Sequence, residues 1–164
     1  MTTPTAPSAG LLTPYTGNEM LPLYTTTVAV SGGEARHARA SGRVVSDDGH
    51  LDLVLRLPKA LGGNGRGTNP EQLFAAGFAA CFHGAMTLVA NSRKIRLPQD
   101  IDISATVTFG RDPTDGLFLI TADLAVRLPA MDAGDAAALV AETERVCPYA
   151  KMARMGMQST IRLV

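Results

Sequence analysis

Thr68-Asn69-Pro70-Glu71-Gln72-Leu73-Phe74-Ala75-Ala76-Gly77-Phe78-Ala79-Ala80-Cys81-Phe82 is the stretch on which the reading of this chain turns. Asn69 carries a short polar side chain suited to capping a helix. Pro70 suits the first helical position, where its missing N–H has no partner to lose, and Glu71 sets a carboxylate beside the positive end of the helix dipole. A helix is therefore expected over residues 71–91. Its residues are apolar on nearly every face, the pattern of a helix buried all round and serving as the spine of the fold. Ala76, Gly77, Ala80 and Gly84 are small enough for another backbone to come close. Cys81 lies deep in this run, where a thiol is either inert packing or a deliberately activated nucleophile.

Downstream, residues 101–109 and 117–128 read as two strands joined by the turn Asp112-Pro113-Thr114-Asp115-Gly116, a hairpin. A second helix is expected over residues 132–146, with Leu139, Val140 and Thr143 facing inward. Pro148 follows Cys147 at once and places it at a helix terminus or kink. Residues 160–164 read as a short closing strand. Upstream, the β-branched residues 23–30 read as a strand that stops at Ser31-Gly32-Gly33, and residues 34–42 as a polar loop carrying Arg36, His37 and Arg39. Leu51, Leu53, Leu55 and Leu57 alternate with His50, Asp52, Val54 and Arg56, the period of a strand with one face on a core. The run Gly62-Gly63-Asn64-Gly65-Arg66-Gly67 reads as a flexible loop. Strands and helices mix without a regular βαβ alternation, so the fold class is α+β. Residues 1–20, rich in Thr, Pro, Gly and Ala, read as a disordered or partner-contacting tail, and residues 21–164 as a single domain.

Composition narrows the function classes. At 164 residues the chain has room for one sizeable core. Fifteen Lys plus Arg balance fifteen Asp plus Glu, so no net charge draws the protein to nucleic acid or to an anionic membrane. Small or apolar partners are favoured. The two cysteines, with neither a CxxC motif nor a nearby His pair, argue against zinc and against a stapled secreted scaffold. No basic start leads into a long apolar run, so neither a signal peptide nor a membrane span is expected. A cytoplasmic protein follows, a compartment where a cysteine pair is more often catalytic or redox-sensing than structural.

On composition alone Cys81 reads as a small hydrophobe in a packed helix, because burial in apolar surroundings raises a thiol's pKa and opposes reactivity. A functional Cys81 needs a cation beside it, for which Arg36, Arg39, Arg43 and Arg66 are available. Cys147 offers a second thiol. Glu71 has an ordinary role in offsetting the helix dipole.

A resemblance changes this balance. TNPEQLFAAGFAACF at 68–82, PKALGG at 58–63, SDDGHLDL at 46–53 and VCPYAK at 146–151 together resemble the organic hydroperoxide resistance (Ohr) proteins of the OsmC superfamily, over roughly residues 23–164. The resemblance implies an Ohr/OsmC-like fold, with antiparallel sheets packed around a long buried central helix in an intertwined homodimer. It implies a cysteine-based peroxidase that reduces organic hydroperoxides with no bound cofactor, metal or haem. Cys81 matches the peroxidatic cysteine, Cys147 the resolving one, and Glu71 the carboxylate that orients an active-site arginine. Arg36 is the choice for that arginine and Arg39 the second. The family's Arg-x-Gly-Arg pattern after Gly-Gly is replaced here by Glu34-Ala35 and then Arg36-His37-Ala38-Arg39, and the polar residues the family carries after its CPY give way to Lys151, Met152 and Met155. An external dithiol, a lipoylated protein or dihydrolipoamide, is implied as the reductant.

Two expectations accompany that reading, and rival readings stand beside it. The aromatic and Met neighbours of Cys81 in sequence, Phe74, Phe78, Phe82 and Met86, suit an alkyl or fatty-acid hydroperoxide, each buried methylene contributing about 0.8 kcal/mol. Ten residues at about 1.5 Å rise separate the Glu71 and Cys81 backbones by roughly 15 Å in a straight helix. One guanidinium then serves both only if the helix breaks near Gly77, the side chains reach inward, or a partner subunit supplies one member. The alternatives are a general OsmC-type peroxidase of broader range, or a thiol redox sensor or ligand-binding paralogue without turnover.

Overall fold

The computed structural model describes residues 10–33 and 41–164. The chain divides into two compact units, Met1–Phe74 and Ala75–Val164. The expected loop at 34–42, including Arg36 and Arg39, lies largely outside the described residues.

In the first unit, β1 (Val28–Ser31), β2 (Gly42–Ser46) and β3 (Asp52–Leu55) form an antiparallel sheet in that order. The β2–β3 connection is held by Asp48. Its carboxylate accepts from the Ser46 hydroxyl at 2.6 Å and from the His50 amide at 3.0 Å, while Gly49 takes the positive φ of 75° that closes the turn. The Ser46 hydroxyl, then the His50 amide and imidazole, hold the Asp48 carboxyl down to about 2. Arg43 and Asp52 pair across β2 and β3 on the exposed face. Strand β3 is continued by Arg56 N–H donating to Thr68 O at 2.9 Å. This ties down the Gly-rich segment, which opens with a short 3-10 turn at Lys59–Leu61. The first strand begins at Val28 rather than at residue 23.

Helix α1 (Pro70–Ser92) is continuous. Its start is a reciprocal capping box: the Gln72 amide donates to Asn69 Oδ1 at 2.9 Å, and the Asn69 amide to Gln72 Oε1 at 3.3 Å. By length and mean hydropathy the helix could cross a bilayer, yet it buries Phe78, Phe82, Ala85, Met86, Val89 and Ala90 on one face, as the core helix of a folded domain does. Within the single chain the helix is not buried all round. Ala76, Ala80, His83, Gly84 and Asn91 are exposed, because small apolar side chains gain little area from being covered and the apolar pattern alone does not distinguish such a face from a packed one.

The second unit continues with β4 (Asp102–Arg111) and β5 (Phe118–Arg127), an antiparallel hairpin in register from Asp102↔Arg127 to Arg111↔Phe118. Ile103, Ala105, Val107 and Phe109 are half-buried and alternate with exposed Asp102, Ser104, Thr106 and Thr108. The turn closes as read: Gly116 N–H donates to Asp112 O at 2.8 Å with Gly116 at φ 74°. Helix α2 (Ala133–Val146) is capped by Asp132, which accepts from the Gly134 and Asp135 amides, and buries Leu139 and Thr143. It is followed by α3 (Pro148–Met155), which the sequence reading missed. The closing strand expected at 160–164 does not form. Ile161, Leu163 and Val164 are fully exposed, and an extended segment without a neighbouring strand has no ladder to join.

Candidate active site

Cys81 is carried on α1 one helical turn beyond Gly77, and Cys147 occupies the junction of α2 and α3. Cys147 is the C-cap of α2, its N–H donating to Thr143 O at 2.8 Å. It is also the N-cap of α3, its carbonyl accepting from Lys151 N–H at 3.0 Å. The backbone there is extended, φ −65° and ψ 119°, so the residue belongs to neither helix. The two sulfurs lie 3.6 Å apart, the Cys147 thiol donating to Cys81. Both cysteines are free thiols, Cys147 fully buried and Cys81 half-buried.

Electrostatics at Cys81 pull in two directions. Burial pushes the thiol up, because desolvation disfavours the thiolate. The backbone amide of Tyr149 opposes this by donating to the sulfur, while the neighbouring Cys147 thiol adds to the upward push. Tyr149 is the second residue of α3, and its N–H is one of the first-turn donors that a helix leaves without an internal acceptor. Its ring packs on Phe78, centroids 5.9 Å apart and planes tilted by 40°.

Of the four residues singled out from sequence, the structure brings Cys81 and Cys147 together. Glu71 is half-buried in the first turn of α1, and the helix does not break at Gly77. Arg36 lies outside the described residues. Tyr149 was not singled out. Its contribution is a backbone group, which has no residue-type signature, although its place directly after Cys147-Pro148 put it in the first turn of any helix starting there.

A mixed α+β fold with antiparallel sheets, one long apolar helix and two thiols in near contact defines the class of this chain as an α+β cysteine protein. Residues 62–162 match the OsmC-like protein family, and the chain belongs to it, with relatives among the organic hydroperoxide resistance proteins. It is 43% identical over 142 residues to the organic hydroperoxide resistance protein of Xanthomonas axonopodis pv. citri, a match covering 86% of this chain and 94% of that protein. It is 39% identical to OhrB of Bacillus subtilis, covering 86% of this chain and 98% of OhrB. The crystal structure of an organic hydroperoxide resistance protein from Legionella pneumophila superposes with a TM-score of 0.72 at 40% identity, covering 83% of this chain and 93% of that one.

Proposed function

We propose that the chain is a thiol peroxidase that reduces organic hydroperoxides to alcohols, with Cys81 as peroxidatic and Cys147 as resolving cysteine. The observation that supports this best is the 3.6 Å approach of the two sulfurs. In the first step the Cys81 thiolate attacks the terminal peroxide oxygen. The O–O bond breaks, the alkoxide leaves and takes a proton to become the alcohol, and Cys81 becomes a sulfenic acid. In the second step the Cys147 sulfur displaces hydroxide from the sulfenic acid, giving a Cys81–Cys147 disulfide and water. An external dithiol, a lipoylated protein or dihydrolipoamide, then reduces the disulfide by exchange and is itself oxidised.

The same reading assigns Arg36, with Arg39 second, as the cation that offsets the burial penalty on Cys81, oriented by Glu71. A guanidinium suits the task because it keeps its charge and its planar fork can meet sulfur and carboxylate. The roughly 15 Å of helix between the Glu71 and Cys81 backbones requires that side chains span the gap or that a partner subunit of the proposed homodimer contributes. The half-buried apolar setting of Cys81 favours an alkyl or fatty-acid hydroperoxide over hydrogen peroxide, and a cytoplasmic setting keeps the thiols reduced between turnovers.

The upward push of burial on Cys81 favours a second reading, a slow thiol sensor without turnover. Hydroperoxide consumption with dihydrolipoamide separates the two. The peroxidase turns over many equivalents with cumene hydroperoxide, loses all turnover in Cys81→Ser, and keeps a single turnover in Cys147→Ser. Equal consumption by wild type and Cys81→Ser would refute it.

A further inference from the structure

Gly77 stands in the interior of α1, where glycine is a poorer helix former than alanine, and it is not among the residues with positive φ. The backbone therefore does not call for it; the space around it does. A Cβ at this position would lie 3.1 Å from the Tyr149 hydroxyl oxygen and 3.5 Å from two atoms of the Tyr149 ring. Phe78, the next residue, packs on the same ring. Gly77 and Cys81 are four residues apart and so share one face of the helix, one above the other. The ring of Tyr149 thus rests one turn before the cysteine on which its own backbone amide is directed.

We propose that Gly77 and Tyr149 are positioning residues for the cysteine pair. The missing side chain of Gly77 seats the Tyr149 ring. The seated ring holds the Tyr149 amide on the Cys81 sulfur and keeps Cys147, two residues earlier, at 3.6 Å. Their role rests on the thiol-peroxidase reading for its purpose, though not for its geometry. A donor fixed on sulfur favours thiolate over thiol, and one clamp therefore serves both attack and resolution. Among the described residues, those facing the Cys81 sulfur are the Cys147 thiol from the end of α2 and Tyr149 from the first turn of α3.

The test follows Cys81 alkylation by iodoacetamide against pH, in full-length Cys147→Ser protein so that one thiol reports. Tyr149→Ala and Gly77→Val are each expected to raise the midpoint by about one pH unit, a tenfold loss of thiolate at a fixed pH below it. In the two-cysteine protein they slow disulfide closure about tenfold. Tyr149→Phe, the conservative variant, recovers the wild-type midpoint because ring and amide remain. Gly77→Ala crowds the hydroxyl alone, so its smaller shift disappears in Gly77→Ala/Tyr149→Phe. It also improves helix propensity, which keeps the test open if Gly77→Val does not fold. An unmoved midpoint in folded Tyr149→Ala, or a Gly77→Ala shift that persists beside Tyr149→Phe, would overturn the proposal. These shifts in a protein that consumes no hydroperoxide would sink the peroxidase reading and leave the clamp standing.

Discussion

One equivalent of cumene hydroperoxide, added to the reduced protein with no dithiol present, is expected to close the Cys81–Cys147 bond and raise thermal stability. The sulfurs start 3.6 Å apart and a disulfide needs about 2.05 Å, so the required approach of roughly 1.5 Å is within reach of side-chain rotation. The bond closes a loop of 66 residues. Chain entropy puts the gain from constraining the unfolded state at about 4 kcal/mol for a loop of that size. At a few degrees per kcal/mol for a chain of this length, Tm should rise by on the order of 10 °C. Differential scanning fluorimetry of reduced and oxidised protein measures it, with Cys147→Ser as the control that shows no rise. Two titratable thiols and an unchanged Tm after the hydroperoxide has been consumed would refute the reasoning.

Three further outcomes follow from the packing and charge of the molecule. Asn69→Ala removes one arm of the capping box and should cost about 1 kcal/mol, read by urea denaturation, with Asn69→Ser recovering most of it. Leu139→Ala empties a fully buried site in α2 and should cost 2–5 kcal/mol on the scale of roughly comparable core truncations, seen as a lower denaturation midpoint with unchanged slope. Asp48 should titrate with a midpoint of about 2 by carboxyl NMR. Its folded-state pKa is depressed, so its contribution to the β2–β3 turn is fully present above the unfolded value of about 3.9 and is lost as pH falls through about 2. Ser46→Ala, which removes the hydroxyl that does most to hold the carboxyl down, should move the midpoint upward.

What the sequence disclosed follows from how local each determinant is. The start of α1 was legible because capping chemistry is written within four residues, although the reciprocal partner Gln72 went unremarked. The β4–β5 hairpin was legible because period-two alternation and the Asp112–Gly116 turn agree. Helix α3 was missed because Pro148 reads equally as the end of one helix and as the first residue of the next, and eight residues give little periodicity to decide between them. The exposed face of α1 escaped because alanine and glycine register as apolar whether or not anything covers them. At the site, the two cysteines were marked by their contexts, whereas their 3.6 Å approach is a product of tertiary packing that neither context contains. The Tyr149 amide is a group common to every residue but proline, and only tertiary packing brings it to Cys81.

Cys147 illustrates a division of labour inside a single residue. Its N–H completes one helix and its carbonyl begins the next, while no side-chain cap is used at the start of α3. The main chain does the structural work and the sulfur is left out of it. Replacing that sulfur by oxygen should therefore leave both helix ends intact, making Cys147→Ser a chemical change rather than an architectural one. The same economy places any displacement of the sulfur at the shared end of two helices, so that one bond made or broken there is felt along α2 and α3 together.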